Sequence, residues 1–135
     1  MCPKGLCYTR PKSAHRCPAI TTVLPANKES LEHAANILLE GGVVCIPTDT
    51  VYGIAAIATY AESVRKVFEV KRRSPTEALP IFIDQIGSLY ALSKFIPPIA
   101  KVLASNCWPG PLTMVLDKSD LLPDIATGGL TTAGF

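Results

Sequence analysis

The chain has 135 residues, 48% of them hydrophobic and 18% charged, with a formal net charge of +2. That balance describes a globular chain with a core and excludes a disordered polymer. No apolar run reaches the roughly 18 residues that span a bilayer, so no membrane partner is expected, and the net charge is too small to identify a nucleic-acid partner.

The charge is unevenly placed. Met1 to Lys28 carries Lys4, Arg10, Lys12, Arg16 and Lys28 and no acid. Residues 1–20 hold three prolines and show neither a helical nor a strand period, which predicts a flexible basic arm followed by one domain over 21–135. Such an arm reads either as a plain tail or as an organelle transit peptide, so the expected compartment is the cytoplasm, or the mitochondrion if the arm is a leader. The five cysteines (Cys2, Cys7, Cys17, Cys45 and Cys107) are odd in number and lack the two-residue gap of zinc sites. They read as unpaired thiols, and no metal site is expected.

Ile20–Leu24 predicts an edge strand. Asn27 is placed to cap a helix whose apolar stripe is Leu31, Ala34, Ala35 and Leu38, and Gly41-Gly42 stop it. His33 falls off that stripe. Val43–Ile46 reads as a buried strand ending at Pro47, followed by Thr48, Asp49 and Thr50. Polar groups leaving such a strand at its carboxyl end stand where open α/β sheets place ligands. Thr59 and Glu62 form a capping-box pair for a helix with Val64, Val67 and Phe68 on one face.

That helix runs out in Lys71, Arg72 and Arg73. Leu79–Ile83 predicts a second buried strand, and Asp84 a cap for a helix bearing Ile86, Leu89 and Tyr90. Pro97-Pro98 separate it from a helix with Ile99, Val102 and Leu103. Cys107-Trp108-Pro109-Gly110-Pro111 is a rigid turn, Leu112–Leu116 a third strand, and Pro123-Asp124 and Gly128-Gly129 mark turns. Strands alternating with helices predict an α/β layer structure.

Neither standard phosphate cradle is present, nor H-E-x-x-H, nor G-x-S-x-G. What remains is the Thr48–Thr50 loop and the Lys71–Arg73 cluster. A basic helix end is ordinarily solvated and suits the helix dipole. It can also clamp phosphate, since Arg presents a planar fork of donors and Lys a point charge. The residues by themselves do not choose between ATP, another nucleotide and an RNA backbone.

Taken together, I-P-T-D-T-V-Y-G, A-E-S-V-R-K-V-F-E-V-K-R-R, L-P-I-F-I and N-C-W-P-G-P-L-T-M-V-L resemble the YrdC/Sua5 family in order and spacing over Ala26–Phe135. The resemblance implies a YrdC/RibB-type fold, a single twisted mixed sheet flanked by helices with a concave basic surface. It implies a nucleotidyltransferase, threonylcarbamoyl-AMP synthase, using L-threonine, bicarbonate and ATP. Pyrophosphate is released, and a downstream threonylcarbamoyl-transferase modifies adenosine 37 of tRNA.

By the same resemblance Lys71 and Arg73 meet the ATP phosphates and are the catalytic candidates. Thr50 contacts L-threonine, and Thr132 contacts the nucleotide. No tightly bound cofactor is implied; ATP arrives as substrate, with Mg2+. Arg72 adds a charge where the family usually has Gly or a polar residue. Glu77 and Phe82 stand where some members carry Asn and His, so those roles are not transferred. The family's Arg after Thr132 and its S-x-N-x-S-G segment lie beyond Phe135, so the domain is expected to be incomplete at its C-terminus, with an unpaired sheet edge. The alternative expectation is a non-catalytic module of the same fold that binds tRNA or double-stranded RNA.

Overall fold

The computed structural model describes residues 5–9, 21–48 and 50–135. The chain divides into two units, residues 1–73 and 74–135.

In the first unit, β1 (Gly5–Thr9), β2 (Thr22–Pro25), β3 (Val43–Pro47) and β4 (Tyr52–Ala55) form one sheet in the order β2-β1-β3-β4, every pairing antiparallel. Two features depart from the sequence reading. Gly5–Thr9 lies in the stretch expected to be a flexible arm, yet it pairs between β2 and β3. Five residues are too few for an alternation to stand out. Residues 1–4 and 10–20 of that expected arm lie outside the described residues. Second, the chain leaving β3 turns straight back into β4, with Val44 opposite Ala55 and Pro47 opposite Tyr52. The polar loop at the end of β3 is therefore the tip of a hairpin.

α1 (Lys28–Leu39) is capped as its sequence predicts: the Asn27 side chain accepts a hydrogen bond from the Ser30 amide at 2.9 Å. Gly41, at φ +76°, closes its far end. Its inward face is Ser30, Ala34 and Ile37 rather than the expected stripe, and Leu31 is exposed. Ala34 and Ile37 pack on Val44, joined by Leu24, Leu38, Ile46 and Ala55. Val43, on the opposite face of β3, is also buried, so this strand is apolar on both sides.

α2 (Ala61–Lys71) buries Val64, Val67 and Phe68, the face read from the sequence. It begins one residue later than the capping box predicts. Tyr60 is the N-cap and supplies no side-chain bond. Glu62 instead pairs with Arg65, whose guanidinium, hydrogen-bonded to it, holds the Glu62 carboxyl below its usual range.

The second unit contains α3 (Ile86–Leu92), α4 (Pro98–Cys107) and an antiparallel pair, β5 (Val115–Asp117) with β6 (Thr132–Gly134). Met114 and Phe135 exchange both backbone hydrogen bonds and extend that ladder. Leu79–Ile83, expected as a strand, forms no ladder. The Leu79 amide donates to the Ala126 carbonyl at 3.0 Å and the Ile81 amide to Gly134 at 2.8 Å. Strand alternation survives there, with Ile81 buried and Phe82 84% exposed.

Asp84 does not cap α3. Gln85 occupies that position, and Asp84 accepts from the Ser88 hydroxyl at 2.7 Å. On α4 the buried face is Ala100 and Ala104, while Ile99, Val102 and Leu103 point outward. Small residues let the helix approach the rest of the unit closely, and that outranks the larger side chains in setting its rotation. Trp108 donates its indole N–H to the Leu112 carbonyl at 2.7 Å and holds the predicted Pro-rich turn. The overall α/β class agrees with the sequence reading; the described strands lie in two sheets rather than one.

Candidate functional site

The predicted site residues sit at three places. Thr50 is exposed at the tip of the β3–β4 hairpin. Thr48 organises that tip. Its amide donates to the Val51 carbonyl at 3.2 Å, its hydroxyl donates to the same carbonyl, and the Val51 amide donates back to the Thr48 hydroxyl at 3.2 Å. This side-chain turn holds the backbone on both sides of Thr50. Asp49, between them, lies outside the described residues.

Lys71 and Arg73 bracket the end of α2. Arg72 lies in the left-handed region, φ +51° and ψ +42°. The Arg72 amide donates to Glu69 and the Arg73 amide to Phe68, at 3.2 and 3.0 Å. A left-handed residue at a helix end reverses the chain and satisfies the last carbonyls. It also places Lys71 in the last turn and Arg73 past the cap. Lys71 and Arg72 are exposed and Arg73 half-buried. Long cationic side chains on such an end can lay their stems along the surface and present their charged heads to an anion.

Thr132 is half-buried at the start of β6, directly opposite Asp117. It belongs to the second unit, whereas Thr50, Lys71 and Arg73 belong to the first. The structure thus brings the hairpin tip and the basic helix end into one unit and places the third element in the other. Glu77 and Phe82, the two departures from the family pattern, are both exposed.

A shallow cavity of about 450 Å³ lies elsewhere in the first unit, lined by Leu39, Glu40, Tyr60, Glu62, Ser63 and Lys66 among others. None of the predicted site residues lines it. Its floor is a structural joint: the Gly41 carbonyl accepts from the Lys66 ammonium at 2.6 Å and from the Ser63 hydroxyl at 3.2 Å. Those two bonds tie the end of α1 to the first turns of α2. Among the described residues no group of three or more His, Cys, Asp or Glu could hold a metal ion, and no helix is long and apolar enough to cross a membrane.

The sequence reading missed the residues that set the backbone at these sites: Thr48 as a turn bonder, and Lys118 in the loop before Thr132. Thr48 could have been read from its position two residues before Thr50 in a tight polar turn. Lys118 carries no periodic signal.

Residues 36–135 match the Sua5/YciO/YrdC family, described as telomere recombination. The chain belongs to that family. It is 46% identical over 99 residues to the threonylcarbamoyl-AMP synthase of Pyrococcus abyssi, an alignment covering 73% of this chain and 29% of that protein. It is 39% identical over 117 residues to the Bacillus subtilis threonylcarbamoyl-AMP synthase, covering 86% and 34%. Its fold matches the crystal structure of P. abyssi Sua5 complexed with L-threonine, with a TM-score of 0.77 and 42% identity over 80% of this chain and 32% of that one. The chain therefore spans about a third of the length of these relatives.

Proposed function

We propose that this chain takes part in making threonylcarbamoyl-AMP from L-threonine, bicarbonate and ATP. The observation that carries the reading is its likeness, at 42% identity, to a Sua5 structure holding L-threonine. The amine nitrogen of threonine attacks the bicarbonate carbon, water leaves, and a carbamate forms. A carbamate oxygen then attacks the α-phosphorus of ATP. The bond from that phosphorus to the bridging oxygen breaks, and pyrophosphate departs with the electron pair.

Charge accumulates on phosphate oxygens as that bond breaks, and positioned cations stabilise it. Lys71 and Arg73 fit that work because they project from a helix end fixed by two backbone hydrogen bonds. Thr50, on a hairpin tip held by Thr48, orients the amino acid. Thr132 contacts the nucleotide. In this reading ATP brings Mg2+ as part of the substrate, and the protein keeps no resident cofactor. The adenylate passes to a threonylcarbamoyl-transferase acting on tRNA, in the cytoplasm.

The test is pyrophosphate release by the purified 135-residue chain at fixed bicarbonate, with and without L-threonine. Threonine-dependent release supports the synthase. Absent release, together with binding of double-stranded RNA or tRNA that weakens steeply with salt, would replace it with the RNA-binding reading.

A further inference from the structure

The loop from Lys118 to Thr131 leads directly into Thr132, and its ends are joined by the Lys118 amide donating to the Thr131 carbonyl at 2.9 Å. A loop of this length with closed ends holds its shape by its own side chains. Here the Lys118 side chain bonds two points of the loop. The Lys118 ammonium donates to the Leu122 carbonyl at 2.7 Å and lies 2.9 Å from the Asp124 carboxylate. The Lys118 side chain is only 11% exposed, whereas Asp124 is 83% exposed, so the cation is drawn under the loop and the acid closes over it from outside.

The neighbouring backbone is fixed on the other side as well. The Ser93 hydroxyl and the Lys94 amide both donate to the Asp117 carbonyl at 2.9 Å, and the Ser119 amide donates to the Leu92 carbonyl at 2.8 Å. Asp117 in turn stands opposite Thr132. Within the loop, the buried Thr127 hydroxyl donates to the Leu130 carbonyl at 2.8 Å.

We propose that Lys118 is a positioning residue for nucleotide binding: by holding Leu122 and Asp124 it fixes the loop that sets Thr132 in register opposite Asp117. This inference rests on the nucleotide reading of Thr132. Removing the ammonium takes the donor from the Leu122 carbonyl and the ion-pair partner from Asp124 together, so the loop responds as a unit.

The variants are Lys118→Met, which keeps the apolar stem and removes the ammonium, Lys118→Arg, which keeps the charge, and Asp124→Asn, which removes only the exposed partner. In Lys118→Met, exchange of the Gly129 and Leu130 amides should quicken roughly ten-fold, and ATP affinity should fall roughly five-fold or more. L-Threonine affinity should not change. Lys118→Arg should restore most of the ATP affinity, and Asp124→Asn should move both readouts in the same direction by less. If Lys118→Met does not fold, the Asp124→Asn pair of readouts decides. Unchanged amide exchange and ATP affinity, against a wild-type chain that binds ATP, would overturn the role of Lys118 and leave the nucleotide reading standing. A wild-type chain with no ATP affinity would overturn both, and amide exchange would then still report whether the brace exists.

Discussion

Gly128 and Gly129 are adjacent, share the left-handed backbone region, and should respond very differently to the same substitution. Their φ angles are +62° and +83°. An L-residue there costs roughly 1–2 kcal/mol in backbone sterics, which exceeds the gain of about 0.4–1 kcal/mol from alanine's restriction of the unfolded chain. Gly129→Ala meets nothing within 4 Å, so its net cost should stay at that backbone strain, about 1 kcal/mol. At Gly128 an added Cβ would lie 2.4 Å from the Thr76 carbonyl oxygen, 2.8 Å from its carbon and 3.1 Å from the Ala78 nitrogen.

All three of those are backbone atoms, so no rotamer change relieves the contact. The loop or the 76–79 segment must move by about an ångström, which strains the 3.0 Å bond from the Leu79 amide to the Ala126 carbonyl. Losing one such bond costs about 1 kcal/mol net, and a buried polar group left unpaired costs about 1–3 kcal/mol. Gly128→Ala should therefore destabilise by about 2–4 kcal/mol. Urea unfolding followed by the single tryptophan, Trp108, reads the unit that contains both glycines. Equal midpoints for the two variants would refute the close approach of the loop to Thr76.

Arg72→Gly places the residue best suited to φ +51° at the end of α2. It should raise stability by up to about 1 kcal/mol while leaving pyrophosphate release intact, and thermal unfolding with the release assay checks both. Arg73→Ala should lower turnover roughly ten-fold or more if it stabilises departing phosphate charge; a variant as active as the parent removes Arg73 from that role. Thr50→Ala should raise the KM for L-threonine and leave the KM for ATP unchanged, which steady-state kinetics in each substrate separates.

Much of the first unit was legible because its signals are local. Asn27 caps α1, Gly41 closes it, and the Val64, Val67 and Phe68 face of α2 is buried as its spacing requires. What escaped depends on partners distant in sequence. The hairpin return into β4 cannot be read from Ile54–Ala58, whose small apolar residues fit several structures. The outward rotation of α4 follows from what Ala100 and Ala104 approach, not from the helix's own apolar count. Glu62 satisfied a local capping pattern, but Arg65 on the same helix took its carboxylate.

At the site, the candidate side chains were legible as a motif and their backbone supports were not. Thr50 and the Lys71–Arg73 cluster stand out as residue types. The left-handed Arg72 and the Lys118 brace are properties of folded geometry, whereas the Thr48 turn had a local signal that went unread.

The central claim is best tested by incubating the chain with L-threonine, ATP and carbon-13-labelled bicarbonate and analysing the products by mass spectrometry. The account predicts a threonylcarbamoyl-adenylate carrying one labelled carbon, with pyrophosphate formed in equal amount. Unlabelled products only, or ATP left intact while the chain is folded, would contradict it.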